Sequence, residues 1–515
     1  MRVSTSMIYD TNVAAMQDQT SNLLKVNQQI ATGRRILTPS DDPVAAAQAL
    51  GVGQSITTND QHQTNQKTAL SSLSLEESNL SSAQDLIQHI RDLAVSAGNA
   101  AYDNQNRGAI ATEIRSSMKE LLSIANTDDG KGNFMFSGFQ AASAPFSVVP
   151  SGASAPVAYN GDQGQRLLQI EPARQVAISD PGSSVFMNVK SGNGSFVTSA
   201  PLSNSNPPGQ VTSTNTGTGI IDGGNVLDQT KWAGVTPVVP VTGTGNINDR
   251  FSIVFAVDNT GVTPVTTYDI VANIDVKLNS PAGSGQTIAA GQSLITGAAS
   301  ATTNSTLTPA GPRLPRIYTP GQSISLQKLS TDGAAVPSNG QPAFSVAAAW
   351  DTGTAVSIDG TPASTLNGAL PAPGTAAFAA ASDNFTIKAS SNESVFKTID
   401  DLATLLETGV TNSATTGNAD RAKLTNGLNT ALTNLSNDLD RISTVRASVG
   451  SRLKEIDASQ SLSADLGLQY QTNLSGLQDL DYTKAITSLN QNQVGLDAAQ
   501  KAFVKVSGLS LFSYL

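Results

Sequence analysis

Apolar residues recur at three- and four-residue steps near both ends of the chain, and this pattern stops in the middle. Met16, Leu23 and Ile30 repeat every seven residues with Val26 between them, a thin helical stripe. The stripe ends at Gly33, which takes the left-handed conformation of a helix stop cheaply, and Arg34 and Arg35 follow. Pro39 forces an extended link. Asp42 then reads as an N-cap, and Pro43 suits the first helical position, where its missing N–H costs nothing. The alanine run after it starts a helix that extends toward residue 97, with a candidate break at Gly51 and Gly53. Its later half carries Leu70, Leu73, Leu80, Ala83, Ile87, Ile90 and Ala94, and Gly98 marks its end. A third helix carries Ile110, Ile114, Met118, Leu121 and Ala125.

The C-terminal stripe is sharper. Leu428, Leu435, Ile442, Val449 and Ile456 share one heptad position; Leu432, Leu439 and Leu453 share the other, interrupted by Arg446. Such spacing predicts a coiled-coil seam. A helix over 420–466 is roughly 70 Å long at ~1.5 Å per residue and needs a partner of similar length. The 44–97 helix, running antiparallel, is that partner. Leu474, Leu477, Ile486, Leu489, Val494 and Ala498 predict more helix, before an apolar end, Leu509-Ser510-Leu511-Phe512-Ser513-Tyr514-Leu515. Chain ends usually stay polar, so this one is either tucked into a core or kept for a partner.

Between about 140 and 390 the period changes. Arg166–Ile170, Phe251–Val257 and Asn384–Ile387 are short strand-like runs bounded by Gly, Pro, Asn and Asp. The region holds 21 of the 23 prolines, which excludes a continuation of the helices. It has room for one large or two smaller β units, with candidate splits near 195 and 345, and Ser203–Thr218 reads as a low-complexity loop. The predicted fold class is therefore multidomain α+β: a long antiparallel helical coiled-coil bundle formed by both chain termini, with a β-rich domain inserted in the middle.

Composition narrows the function. Aromatic residues are only 5%, so aliphatic cores are expected, and a net charge of -10 disfavours nucleic acid. Without cysteine there is no disulfide framework, thiol catalysis or thiolate metal site. The first residues lack the apolar core of an ordinary secretory signal, and no run approaches the ~18 apolar residues of a membrane span.

No catalytic constellation emerges, and no cofactor or metal is expected. His62 and His89 lie on predicted helices with no second histidine four residues on; both read as ordinary polar positions. Thr216–Gly224 approaches a dinucleotide loop, but its spacing is off by one and no helix follows, so a β-turn cluster is the simpler reading. Asp41 and Asp42 read as helix caps rather than as a metal pair. The heptad stripe of 428–456 reads as intramolecular core, whereas the stripes at the extreme ends leave core and intermolecular roles open.

The end motifs resemble the flagellin superfamily. Thr11-Asn12-Val13-Ala14 and Ile30-Ala31-Thr32-Gly33-Arg34-Arg35-Ile36-Leu37-Thr38-Pro39-Ser40-Asp41-Asp42-Pro43 carry the resemblance at the N-terminus. The T-P-S-D-D-P version is similar to that of the branch that joins the flagellar hook to the filament. Gly132-Asn133-Phe134-Met135-Phe136-Ser137-Gly138 and Asp479-Leu480-Asp481-Tyr482-Thr483-Lys484-Ala485 add to it. The resemblance covers both ends, about half of the chain. It implies that 1–43 and 475–515 form a terminal coiled-coil layer that orders on assembly. It also implies a helical rod from 44–140 and 391–474, with outer β domains over 141–390. The implied protein is an extracellular structural part of the bacterial flagellum, exported unfolded by the flagellar type III apparatus. Its implied partners are a homo-oligomeric ring, the first hook-associated protein, flagellin and an export chaperone. Subunit contacts are expected at Met16, Leu23, Ile30, Leu489, Val494, Leu509, Leu511, Phe512 and Leu515. The middle is longer than a minimal family member needs, which leaves room for an adhesive surface role. A filament flagellin is the alternative reading, and a flagellin-borne metallopeptidase is disfavoured because 141–390 contains no histidine.

Overall fold

The computed structural model describes residues 5–508 apart from 150–155, 201–214, 239–248, 260–263, 279–285, 296–299, 301–302, 305–311, 328–350, 365–381, 409 and 411–416. Seven α-helices are described: α1 (Thr5–Thr32), α2 (Pro43–Ala97), α3 (Asn104–Ala125), α4 (Gln229–Ala233), α5 (Val395–Thr408), α6 (Gly417–Gln478) and α7 (Tyr482–Gly508). The start of α2 follows its sequence signals: Asp42 Oδ1 accepts from Ala45 N at 3.0 Å, capping the helix ahead of Pro43. The helix runs through Gly51 and Gly53 without a break.

α2 and α6 run antiparallel, as the stripes predict. Asn59 Nδ2 donates to Ser463 O at 2.9 Å, Arg446 Nε to Glu77 Oε1 at 2.8 Å, and a Cβ on Gly98 would touch Leu428. From Gln66 onward the buried positions of α2 are Gln66, Ala69, Leu73, Glu76, Leu80, Ala83, Ile87, Ile90, Ala94 and Ala97, an unbroken 3-4 alternation; before it only Ala45, Ala49 and Asn59 are buried among the described side chains. On α6 one expected line, Leu428 through Ile456, is fully buried. The second line is displaced. Leu432, Leu439 and Leu453 are only half-buried, and Ala431, Asp438, Val445 and Ser459 are buried instead. The cause is a second partner. Asn437 Nδ2 donates to Lys190 O at 2.8 Å, Asn434 Oδ1 accepts from Gly192 N at 2.8 Å, and Arg441 Nε donates to Ser184 O at 2.6 Å. Coverage by residues 184–192 draws the buried side of α6 away from its leucines.

The described chain divides into two compact units, the first made of residues 1–71, 168–176 and 453–515, the second of 72–167 and 177–452. α2 and α6 contribute to both.

In the second unit a five-stranded antiparallel sheet runs in the order Arg316–Ile317, Val265–Ala272, Asp249–Asp258, Asn384–Ala389, Phe196–Ser199. A second sheet centres on Asp351–Asp359, flanked by Ser323–Gln327 on one side and by Ile220–Ile221 and Asn225–Val226 on the other. Both sheets feed one core that includes Phe251, Phe255, Ile324, Val356, Ile358 and Phe385. The strands of these two sheets thus share one main hydrophobic centre, and Val254, Ala256, Val271 and Leu314 form a separate smaller cluster; the expected split near 345 lies outside the described residues. Short hairpins precede the sheets, and their core is aromatic. Phe136, from the Gly132–Gly138 motif, meets Phe186 edge-on at 5.4 Å, and Phe146 packs between Phe186 and Phe396 at 5.7 and 5.5 Å. Gly182 is required there, because a Cβ would come within 2.6 Å of the Phe146 ring.

Three buried carboxyls stand out in this unit. Glu76 Oε1 accepts from Asp180 N at 3.0 Å, while its Oε2 is buried without a hydrogen-bond partner. Burial, aided by the charge of Asp180, pushes its carboxyl from 4.5 up to about 8. Asp438, in the α6 seam, is driven well above the ordinary carboxylate range, first by burial and then by Glu393. Asp269 accepts from Ile270 N at 2.8 Å and from the Ser293 and Ser300 hydroxyls; burial still raises it to about 6.

Candidate assembly surface

The first unit contains the sequence motifs of both chain ends, and they meet in one elbow. α1 ends at Gly33, whose φ of 70° is left-handed and suits glycine. There Arg35 N donates to Gln478 O at 2.7 Å, Leu480 N donates to Gly33 O at 2.9 Å, and Arg35 Nη2 donates to Leu477 O at 3.0 Å. Asp41 closes the elbow from below. Its Oδ2 accepts from Leu37 N and Thr38 N at 3.0 Å, and its Oδ1 lies 2.8 Å from Lys25 Nζ. The Lys25 bond, then the two backbone amides, hold its carboxyl down at about 2. The two motifs at 30–43 and 479–485 therefore act as two halves of one joint. A Cβ at residue 33 would sit 3.2 Å from Tyr482 Oη as well as strain the backbone. Gly33→Ala is expected to cost about 1–2 kcal/mol locally, read as roughly 5- to 30-fold faster amide exchange at Arg35 and Leu480. Unchanged exchange at both amides would show that the elbow does not depend on this glycine.

Beyond the elbow α1 and α7 pack against each other, antiparallel. Gly495 lies against Gln19 so closely that a Cβ would come within 2.4 Å of its Nε2. Val13, Met16, Thr20, Leu24 and Phe503 line an open groove of about 460 Å³ on this pair. Met16, Leu23, Ile30 and Leu489 are half-buried in the single chain, and Val494 is 69% exposed. Leu509, Leu511, Phe512 and Leu515 lie outside the described residues. Sequence reasoning missed Leu50 and Leu468, which are 76% and 67% exposed on α2 and α6; the helical stripes give no sign of them, because they lie off the buried positions.

The exposure is concentrated. Of the sixteen exposed large apolar residues among the described ones, ten belong to this unit, which is little more than a quarter of the chain. Its charge is nearly balanced, with ten basic and twelve acidic residues; the second unit carries -8 of the net -10. A near-neutral surface that shows apolar side chains favours association.

The other sequence candidates take structural places. The amides of Thr216 and Gly217 donate to the Asp383 carboxylate at 2.7 and 2.8 Å, so the glycine-rich segment is bound into the β unit. His89 Nε2 lies 3.1 Å from Glu113 Oε1 on the surface. His62 is half-buried beside Ile170 and Leu462. No described helix is long and apolar enough to cross a membrane.

Comparison with known proteins gives a consistent result. Residues 3–141 match the family model of the bacterial flagellin N-terminal helical region. Flagellar hook-associated protein 3 of Salmonella typhimurium is 32% identical over 191 residues, 37% of this chain and 58% of that protein. The Escherichia coli protein of the same name is 33% identical over the same length and shares. The match thus spans less than two thirds of these relatives. Flagellin FlaB2 of Treponema pallidum is 27% identical over 192 residues, 36% of this chain and 67% of that protein. Among solved structures, hook-associated protein 3 of Legionella pneumophila aligns with a TM-score of 0.56 at 23% identity, covering 83% of this chain and 98% of that one. The flagellar junction protein FlgL of the same organism aligns at 0.55 and 23%, covering 84% and 100%. These two similarities establish the fold.

Proposed function

We propose that this chain, whose N-terminal helical region is that of the flagellins and whose fold is that of hook-associated protein 3, is a structural component of the bacterial flagellum at the junction between hook and filament. The observation that carries an assembly role is the first unit: the terminal helices of both ends pair there, and its surface exposes apolar side chains and is nearly neutral in net charge. The junction position rests on the relatives named hook-associated protein 3, which match at higher identity than the flagellins do. In this reading copies of the chain form a ring. The ring binds the first hook-associated protein on one side and flagellin on the other, and each subunit reaches it unfolded through the flagellar export apparatus with an export chaperone. No chemistry is assigned to it.

The physical logic is that of folding coupled to assembly. Ordering the backbone costs ~1–2 kcal/mol per residue. A helix pair as thin in apolar residues as α1 and α7 offsets little of that within one chain, and neighbouring copies supply the remainder by burial. Immunogold labelling of the native protein is expected to mark a single position at the hook-filament boundary. Label along the whole filament would instead make it a filament flagellin.

A further inference from the structure

The strands of the two sheets lie between Phe196 and Ala389, so the chain enters and leaves them through residues 190–195 and 390–392. These two crossings are tied together. Val189–Lys190 pairs antiparallel with Asn392–Glu393, Ser191 N donates to Ser391 O at 3.0 Å, and Ser391 N donates to Ser191 Oγ at 3.2 Å. The tie rests on α6 of the same unit, where Asn434 holds both of its strands: Asn434 Oδ1 accepts from Gly192 N at 2.8 Å, and its Nδ2 donates to Glu393 Oε2 at 3.2 Å. One helical turn further, on the same face of α6, stands Asp438. It is 1% exposed, and its Oδ2 is buried without a hydrogen-bond partner.

We propose that Glu393 and Asp438 hold a proton between them, and that this proton latches the tied crossings onto α6. The surroundings leave no other way to neutralise the pair. From α5, Lys397 Nζ lies 3.4 Å from Glu393 Oε1 but pairs with Asp401 as well. Asp400 on the same helix is taken by Arg115 at 2.5 Å. Lys190 on the facing strand is exposed, and Arg441 of α6 donates to Ser184 O. Across the seam, between Gln84 opposite Arg446 and Gly98 opposite Leu428, α2 buries only Ile87, Ile90, Ala94 and Ala97; Asp85, His89, Arg91 and Asp92 lie off those positions. Among the described residues, then, Glu393, Asp401 and Asp438 share one cation, Lys397. Full ionisation would leave two uncompensated negative charges inside the protein, which burial strongly opposes. Burial and then the charge of Glu393 drive Asp438 well above the ordinary carboxylate range, and burial raises Glu393 too. An open cleft of about 310 Å³, lined by Glu393, Asp401 and Asn434 among others, gives the proton a route to water. A carboxyl raised in the fold contributes stability below its unfolded value and loses it as pH rises through the folded one, so the latch is closed in acid and opens toward alkaline pH.

Amide hydrogen exchange of the full chain reads the latch at Ser191 and Gly192, whose N–H groups are bonded to Ser391 O and to Asn434 Oδ1. Glu76→Gln serves as the parent, so that the other buried carboxyl with a partnerless oxygen does not contribute. After correction for the intrinsic exchange rate, protection at both amides is expected to fall roughly tenfold between pH 6 and pH 9. Asp438→Asn keeps the size of the side chain and cannot ionise, so protection is expected to stay constant over the same range. Glu393→Gln, at the more accessible partner, is expected to do the same and decides the matter if Asp438→Asn does not fold. Constant protection in the parent, or a fall that persists in Glu393→Gln, would overturn the proposal. So would an equal fall at Ile221, whose amide donates to Asn426 Oδ1 at 2.8 Å further along α6, because that would mark a general loosening instead of a latch.

Discussion

Deleting residues 1–40 and 475–515 is expected to leave a folded monomer that no longer assembles at any accessible concentration. The deletion removes α1 and α7 together, and these two helices pack on each other. It also removes both halves of the elbow, so Arg35 N to Gln478 O and Leu480 N to Gly33 O disappear as pairs and leave no orphaned partner. What remains keeps the α2–α6 seam, with Gln66 on Ser459 and Ser463, Arg446 on Glu77 and Gln84, and the leucine and isoleucine positions that are fully buried. The helical circular dichroism should fall only by the share of the 28 residues of α1, the 27 of α7 and the last turn of α6, residues 475–478. Sedimentation should show one species under conditions in which the full chain associates. If the truncated protein loses most of its helical signal, the terminal pair is part of the folding core and the division is wrong. Removing only one end is expected to be worse for solubility than removing both, since the remaining helix keeps an uncovered apolar stripe.

The helices were legible in the sequence because their signals are local. Asp42 and Pro43, Gly33 and the heptad line from Leu428 to Ile456 depend on neighbours three to seven residues away, and each takes its expected place. The displaced second line of α6 was not legible. Whether Leu439 or Asp438 is buried depends on residues 184–192, some 250 positions away, and a carboxylate in a seam looks polar to any periodicity argument. The same holds for Glu76, which occupies an apolar step of α2 because Asp180 presents its amide there. The site was half legible. Met16, Leu23 and Ile30 could be read as a stripe, but they are half-buried in the single chain, and Leu50 is the more exposed group. Exposure is a property of what fails to cover a residue, and no pattern within one helix records it. The joining of the 30–43 and 479–485 motifs was likewise invisible, since their partners are more than 400 positions apart.

Glu76 carries a large stability effect for a single side chain. The groups that face it are Asp180 and Arg452: Arg452 Nη2 pairs with the Asp180 carboxylate, Arg452 Nη1 donates to Ala177 O at 3.0 Å, and Gln165 Nε2 donates to Asp180 Oδ1 at 2.7 Å. Arg452 is thus committed to Asp180, and Glu76 is left as the acid that burial keeps protonated. A carboxyl raised in the folded state binds its proton more tightly folded than unfolded. Its contribution is complete below about 4.5, the unfolded value, and is lost as pH rises through about 8. At about 1.4 kcal/mol for each tenfold change, the full loss is on the order of 5 kcal/mol. Glu76→Gln keeps an oxygen to accept from Asp180 N and places an uncharged NH₂ where Oε2 lies, so it has no proton to lose. Urea denaturation from pH 5 to 9 should therefore show the native protein losing several kcal/mol relative to Glu76→Gln, the variant becoming the more stable of the two at the alkaline end. Asp438 and Asp269 titrate in the same direction, but they are present in both proteins and cancel in the difference. Parallel stability curves for the two proteins would mean that Glu76 is ionised in the fold, with Arg452 shared between two carboxylates rather than held by Asp180 alone.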